Sequence, residues 1–476
     1  MMESRRDFLK QAAFSSAATV LAGCVAEGFG HVGGVAGPMF DYADKPFARR
    51  IRVGLVGPGR RGLSAVKRLS SLVSNVEVTA LCDIVPWKCD VANRYLVDRG
   101  FAAAKVYTGP EGYKALCDDP NVDVVYDVSL RDTHVMINTY AMRAGKHVMT
   151  EVPGAMDVEG CWETVETAEK TRRHCMMLEN YCYSEYALLA HSLAASGRLG
   201  EMVHADCAYV HEQRDLFRRE PWRAHDSMHR QGNTYPTHGL GPVCKCMNIN
   251  RGDRFDYLVS MDTGSISFRE YQERTFGKGD WRRDFRMAHG DLNTTQIRTV
   301  KGKTIYVQHD VGLARPWTTI NQLCGTRGTM RCQPDLRIAL EGPDGPPKNA
   351  LLSYMGEAET EKIRKDYMHP LWKHCGDLGV DLSVTHFGGD FLMDNRWAYC
   401  LTKGLPLDMN VYDLATWSSL VGLTAKSVAN RSAAVDCPDF TCGAWKTAKP
   451  FELVDIPRSF LPDADTPVVL QELPQI

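Results

Sequence analysis

Ile51-Arg52-Val53-Gly54-Leu55-Val56 runs straight into Gly57-Pro58-Gly59-Arg60-Arg61-Gly62, and Leu63, Val66 and Leu69 then fall on one helical face. The stretch reads as a short buried strand, a glycine turn and the opening of a helix. A lone G-x-G-x-x-G triplet is weak, because glycine-rich turns are common. Placed between a strand and a helix it acquires a mechanism. Gly57, Gly59 and Gly62 let backbone approach a pyrophosphate, whose charge sits at the positive end of the helix. The next strand, Val76 to Cys82, ends at Asp83, 26 residues after Gly57. A carboxylate there accepts hydrogen bonds from a ribose diol and repels a 2′-phosphate, which favours NAD over NADP.

The alternation continues beyond this unit. Val122 to Val128 reads as a buried strand, His134 to Ala144 as a helix, and Lys146 to Thr150 as a strand entering Glu151-Val152-Pro153-Gly154. A helix over 157–172 and a strand over 174–180 follow, the latter reaching Glu179-Asn180-Tyr181. Strands separated by helices predict an α/β Rossmann domain, a doubly wound parallel sheet over residues 50–181. Ligands bind beyond the carboxyl ends of such strands, so Arg131, Asp132, His134, Glu151, Asn180 and Tyr181 are expected to face one crevice.

From about residue 200 the pattern turns to β-type segments at 203–212, 257–268, 294–299, 304–309 and 318–324, then helical stretches near 384–403 and 411–430. This predicts a substrate-binding α+β domain, residues 182–476, built on an open, largely antiparallel sheet that covers the crevice. Residues 357–374 form a charged connector, and the last helices are free to pack back on the first domain. Trp222-Arg223 leads to Gly232-Asn233-Thr234-Tyr235-Pro236-Thr237-His238-Gly239-Leu240-Gly241-Pro242. So many polar, ring-bearing and glycine residues suit a ligand loop that opens a helix. A rigid turn with a structurally satisfied His238 fits the chemistry equally well.

The chain has 476 residues, 44% hydrophobic and 24% charged, as expected of a soluble globular protein too long for one core. A net charge of −2 offers nucleic acid no electrostatic footing. After the N-terminus no segment approaches the roughly 18 apolar residues a membrane span needs. At the N-terminus, Ser4-Arg5-Arg6-Asp7-Phe8-Leu9-Lys10 precedes a weakly apolar run that ends in Leu21-Ala22-Gly23-Cys24. This reads as a twin-arginine export signal over 1–24 with a lipobox at Cys24, and residues 25–49 as a tether. The expected location is periplasmic or at the outer membrane, with membrane contact only through a lipid on Cys24. Sixteen cysteines are scattered singly. Export of an already folded chain predicts free, mostly buried thiols and no disulfide framework. His225-x3-His229 could share a helical face, but no third ligand is indicated and no metal is expected.

Taken together, these motifs resemble the Gfo/Idh/MocA superfamily and, within it, glycoside hydrolase family 109, over the whole chain from Arg50 and in the export signal. Tyr235 to Pro242 and Glu179-Asn180-Tyr181-Cys182-Tyr183 carry the resemblance more specifically than the glycine turn. Superfamily dehydrogenases mostly have Glu-Lys-Pro after the fifth strand, where the lysine serves hydride transfer. Here the position is Val152, which cannot exchange a proton.

The resemblance implies NAD contacts from Arg61, Gly62, Asp83, the turn Arg131-Asp132-Thr133-His134, Glu151, Val152 and Asn180. It implies sugar contacts from Tyr209, Arg223, Tyr235, Pro236, Thr237 and His238, with Tyr181 and His238 at the reacting carbons. Trp317 stands after Arg315-Pro316 where the family has tyrosine; it can stack on a sugar but lacks the hydroxyl. The implied activity is removal of a terminal N-acetylhexosamine, α-N-acetylgalactosamine foremost, from a glycan or glycoconjugate. NAD would stay tightly bound and be restored in each turnover: oxidation at C3, elimination across C1–C2, addition of water and re-reduction. Tyr181 is expected to take the C2 proton and His238 to move the C3 hydroxyl proton and polarise its oxygen, and the two assignments are interchangeable. An exported enzyme has no pool to reoxidise NADH, which independently favours a redox-neutral cycle. The alternatives are an exported sugar oxidoreductase of the glucose–fructose type, a two-carboxylate glycosidase and a non-catalytic sugar-binding lipoprotein. The sequence leaves the oligomeric state open, a homodimer included.

Overall fold

The structure is a computed structural model and describes residues 37–215, 221–342, 353–380, 386 and 388–462. Six strands form the first sheet: β1 (Ile51–Val56), β2 (Val76–Asp83), β3 (Lys105–Thr108), β4 (Val124–Asp127), β5 (His147–Thr150) and β6 (Cys175–Met177). Their spatial order is β3-β2-β1-β4-β5-β6 and every pairing is parallel. The order reverses between β1 and β4, the topological switch point of a doubly wound fold. A parallel sheet covered on both faces has no wet side, so β4 and β5 are buried at every position and β1 at all but Arg52. The helix Arg60–Ser71 buries Leu63, Val66 and Leu69 as its periodicity requires.

The second sheet holds β7 (Met202–Val210), β8 (Phe255–Asp262), β9 (Leu292–Thr299), β10 (Thr304–Asp310), β11 (Gln322–Gly325), β12 (Gly328–Arg331), β13 (Arg337–Leu340) and β14 (Val435–Asp436). The order is β13-β12-β11-β7-β10-β9-β8-β14, antiparallel throughout except where β7 lies parallel to β10. In β9, Asn293, Thr295, Ile297 and Thr299 are buried while Gln296 and Arg298 are exposed, the signature of a sheet covered on one face. The cover is the helix Thr237–Cys246 against β7 and the helix Leu420–Ala429 against β8.

The helix Gly389–Lys403 returns to the first domain. Its Asp394 accepts hydrogen bonds from Arg68 Nε (3.0 Å), Tyr126 on β4 (3.1 Å) and Trp397 (3.1 Å), all buried. Residues 37–49 are not an independent tether. Met39 donates its N–H to Tyr412 Oη (3.1 Å), Phe47 donates to Leu401 O (3.2 Å), and Asp44 reaches His147 and Arg173. The expected export signal, Cys24 and residues 25–36 lie outside the described residues, as does the His225 side chain.

Local pattern and structure part company where a distant group decides. The segment 257–268 is strand only to Asp262. Residues 267–275 are helical because Asp291 accepts the N–H groups of Ile266, Ser267 and Phe268 (2.7, 2.7 and 2.9 Å). The strand expected over 318–324 spans Gln322–Gly325, since Ile320 and Asn321 adopt positive φ. The strand over 174–180 stops at Met177 and gives way to a tight turn, Asn180–Tyr183. Residues 357–374 hold two helices, Glu357–Tyr367 and Pro370–Asp377, and 411–430 splits into Val411–Ser418 and Leu420–Ala429. The fifteen described cysteines are free and all but Cys324 and Cys442 are buried, as expected. Among the described residues no helix is long and apolar enough to cross a membrane, and no group of three or more potential metal ligands occurs.

Candidate functional site

At the switch point the three glycines have distinct reasons. Gly57 takes φ +88°, and a Cβ there would lie 2.5 Å from Val128 O. A Cβ on Gly62 would fall 2.1 Å from Gly57 O, so the helix could not close on the turn. At Gly59 the nearest atom to an added Cβ is Lys88 Nζ at 3.8 Å, so this backbone faces open space. The helix that follows has no side-chain cap at its start, which leaves its first N–H groups for an anion. Asp83 ends β2 with Oδ1 accepting from the Val85 N–H (2.8 Å) and Oδ2 3.6 Å from Lys88 Nζ. A crowded turn, an open glycine and a strand-end carboxylate fit a dinucleotide.

Arg61 joins the glycine turn to two other elements. Its Nε donates to Glu151 Oε1 (2.6 Å), and Nη1 and Nη2 donate to Asp390 (2.5 and 2.8 Å). Asp390 also accepts from Asn180 Nδ2 (2.9 Å) and lies 3.2 Å from Arg68. His386 stands beside it, 3.0 Å from Asp390 and 3.1 Å from Arg61. Burial opposes the Asp390 charge, but Arg61 and Arg68 outweigh it and hold the carboxyl well below its ordinary range. Val152 is buried beside Glu151.

The side chains of the turn 131–134 are taken up by protein groups. Arg131 points into the second domain, paired with Asp226 (2.8 Å), donating to Thr234 O (2.9 Å) and lying over the Trp222 ring. Its side chain, expected at the cofactor, lines a recess of the second domain, held there by the buried Asp226 carboxylate on the helix Pro221–His229. Asp132 pairs with Arg230, and Thr133 Oγ1 donates to Leu130 O (2.6 Å). The His134 ring lies between Pro153 O (2.9 Å) and Ser129 O (3.2 Å).

Tyr181 and His238 meet, with ring centroids 4.2 Å apart. Behind them lies Glu179, fully buried at the end of the strand–turn connection. Its Oε1 is 2.7 Å from His238 Nδ1 and accepts the Tyr181 N–H at 3.2 Å. A carboxylate accepts, so the imidazole proton belongs on Nδ1 and Nε2 is left as the ring's acceptor. Two glycines allow this meeting. A Cβ on Gly239 would lie 2.8 Å from Ala208 N, and one on Gly241 would lie 2.8 Å from Glu179 Cγ. Burial, then Tyr209 and Glu179, push the Tyr181 phenol well above its ordinary value. Trp317 stacks on Tyr181 at 5.6 Å, and Tyr209 and Tyr235 bring their rings within 5.5 and 4.9 Å of His238.

Beside this cluster Arg131, Tyr209, Gln213, Arg223, Tyr235 and His309 line a recess. Gln213 donates to Tyr209 Oη (2.6 Å) and accepts from Arg223 (3.4 Å). Pro236 carries the first carbonyl of the helix, accepting from Leu240 N–H (3.1 Å). The Thr237 hydroxyl and Glu179 Oε2 are buried without a hydrogen-bond partner among the described residues. Sequence reasoning brought Tyr181, His238, Tyr209, Arg223, Tyr235 and Trp317 to one place. It missed roles for Glu179, Gln213, His309, His386 and Asp390. Only Glu179 had a visible signal, its place directly ahead of Asn180-Tyr181.

Two family models match the chain. Residues 51–179 match "Oxidoreductase family, NAD-binding Rossmann fold" and residues 183–447 match "Glycosyl hydrolase 109, C-terminal domain". An alpha-N-acetylgalactosaminidase of Bacteroides fragilis is 40% identical over 406 residues, covering 83% of this chain and 93% of that protein. A glycosyl hydrolase family 109 protein of Shewanella amazonensis is 39% identical over 458 residues, covering 95% and 99%. Among solved structures, scyllo-inositol dehydrogenase of Lactobacillus casei with bound NAD(H) and scyllo-inositol shares the fold, with TM-score 0.59 at 13% identity over 82% of this chain and 99% of that one. With both halves matched and relatives aligned along nearly their whole length, the chain belongs to glycosyl hydrolase family 109, a glycosidase on an NAD-binding fold.

Proposed function

We propose that this glycosidase releases a terminal N-acetylhexosamine, α-N-acetylgalactosamine foremost, with NAD held in the crevice and no net redox change. The observation that carries the reading is the Tyr181–His238 pair, braced by buried Glu179 at the carboxyl end of a Rossmann sheet. Bound NAD supplies reversible oxidation at sugar C3, which acidifies the neighbouring C2–H. His238 Nε2 is the ready acceptor for that proton, since Nδ1 is committed to Glu179. The Tyr181 phenol, kept neutral by burial, donates a hydrogen bond to the oxygen at C3. Arg223, Tyr209 and Tyr235 orient the ring, and Trp317 offers it a stacking face. Loss of the C2 proton expels the C1 substituent, which leaves as the alcohol with a proton from the incoming water. Hydroxyl adds at C1, the proton returns to C2, and the C3 ketone is reduced back to the alcohol as its oxygen regains a proton.

Against a two-carboxylate route, three carboxylates described around the site are already engaged. Glu151 and Asp390 are tied to Arg61, and Glu179 is tied to His238. A glucose–fructose type oxidoreductase would want a proton-exchanging side chain at the position of buried Val152. Export is part of the proposal: a twin-arginine signal with acylation at Cys24 accounts for a cofactor carried out with the folded chain. Cys24→Ala is expected to abolish labelling by a lipid precursor.

The deciding experiment assays aryl N-acetylhexosaminides without added NAD, in deuterated water. Cleavage with deuterium at C2 of the released sugar is expected. Activity from protein that contains no dinucleotide and ignores added NAD overturns the reading.

A further inference from the structure

We infer that Asp390 is a positioning residue which, acting through Arg61, clasps the dinucleotide in the crevice and slows its release. The inference rests on the NAD reading above and concerns how the cofactor is kept.

Arg61 is the second residue of the helix that opens at the glycine turn, so its side chain starts where an anion would sit. From there it reaches Glu151 at the end of β5 and Asp390 in the second domain. The tie therefore spans from the glycine turn, across the end of β5, to the second domain. The two partners of the tie are unequal. Asp390 and Arg68 have side chains of 0% exposure, while Arg61 keeps 27%. Asp390 also stays compensated by Arg68 and Asn180 when Arg61 departs. Arg61 is thus the leaf that moves and Asp390 the post it closes on.

The post is set by close packing. Gly389, just before it, presses on the turn that carries Tyr181; a Cβ there would lie 2.5 Å from Asn180 O. The helix Gly389–Lys403 is pinned further along by Arg68 and Tyr126 on Asp394. The bidentate fit of guanidinium on carboxylate makes the closed position directional, which a point charge would not.

The test follows NAD release from the loaded full chain by rapid desalting into an NAD-trapping enzyme, with no glycoside present. Arg61→Lys keeps the positive charge but loses the fork, and is expected to release NAD at least about tenfold faster. Asp390→Asn is expected to match it, and the double variant to be no faster than either single one. Should Asp390→Asn fail to fold, Asp390→Glu takes its place: it keeps a negative charge beside Arg68 but displaces the carboxylate from the Arg61 fork, and release as slow as wild type overturns the clasp. Release from Arg61→Lys as slow as from wild type, or multiplying effects in the double variant, overturns the clasp while the cofactor reading stands. A wild-type chain that neither holds nor takes up NAD overturns both.

Discussion

At Glu179 one oxygen serves two groups, fixing the His238 tautomer and the start of the Tyr181 turn. The paired arrangement predicts that His238→Ala and Tyr181→Phe each lower kcat by roughly 10²–10⁴-fold while NAD remains bound. Glu179→Gln keeps an acceptor for the Tyr181 N–H but takes the negative charge from beside the imidazole, so its expected loss, about 10²-fold or more, falls on kcat and shifts its pH profile, with KM little changed. Steady-state kinetics beside the absorbance of bound NAD checks both; an unaltered pH profile in Glu179→Gln would reduce Glu179 to packing. Of these residues, Tyr181 and His238 were legible in the sequence because they sit in dense polar motifs. Asp390 was not. It lies 210 residues from Asn180, to which it hydrogen-bonds, and a lone aspartate at the start of a helical stretch has many ordinary explanations.

The helix Thr237–Cys246 shows how an element carries the site. It is buried at every position, Lys245 included, and two glycines let it reach β7 and Glu179. Gly241→Ala would put a methyl 2.9 Å from Cys182 Sγ and against Glu179, an overpacking cost of about 1–3 kcal/mol. A lower urea midpoint together with weakened turnover is the expected result; a wild-type midpoint would contradict the close approach. The strap of residues 37–47 makes a second prediction. His174, packed against the tilted rings of Tyr42 and His147, is buried with Nε2 unpartnered among the described residues, and burial, then His147, pulls its pKa down to about 3. The unfolded chain titrates near 6.5, so it binds more protons than the fold between these values. The stabilising effect is full above about pH 6.5 and is lost as pH falls toward 3. Urea midpoints between pH 7.5 and 4.5 should fall, and His174→Phe should flatten that fall.

Across the whole molecule the cofactor crevice is roofed by the second domain, with the helix Gly389–Lys403 bonded to the glycine-turn helix and to β4. A ligand bound only by the fold and held at about 100 times its Kd adds about 2.7 kcal/mol. Stripping NAD is therefore expected to lower the thermal midpoint by several degrees, and re-addition to restore it; calorimetry of the two forms decides. By itself the sequence determined the Rossmann sheet, its glycine turn with Asp83, and the two motifs that carry Tyr181 and His238. Those features are local: strand periodicity, turn chemistry and short spacing are written in neighbouring residues. Only the tertiary structure decided that Arg131 serves the recess, that 267–275 is helical, and that Glu179 and Asp390 brace the site. Each of these depends on a carboxylate brought from elsewhere in the chain, and a buried charge takes whichever partner the packing places beside it.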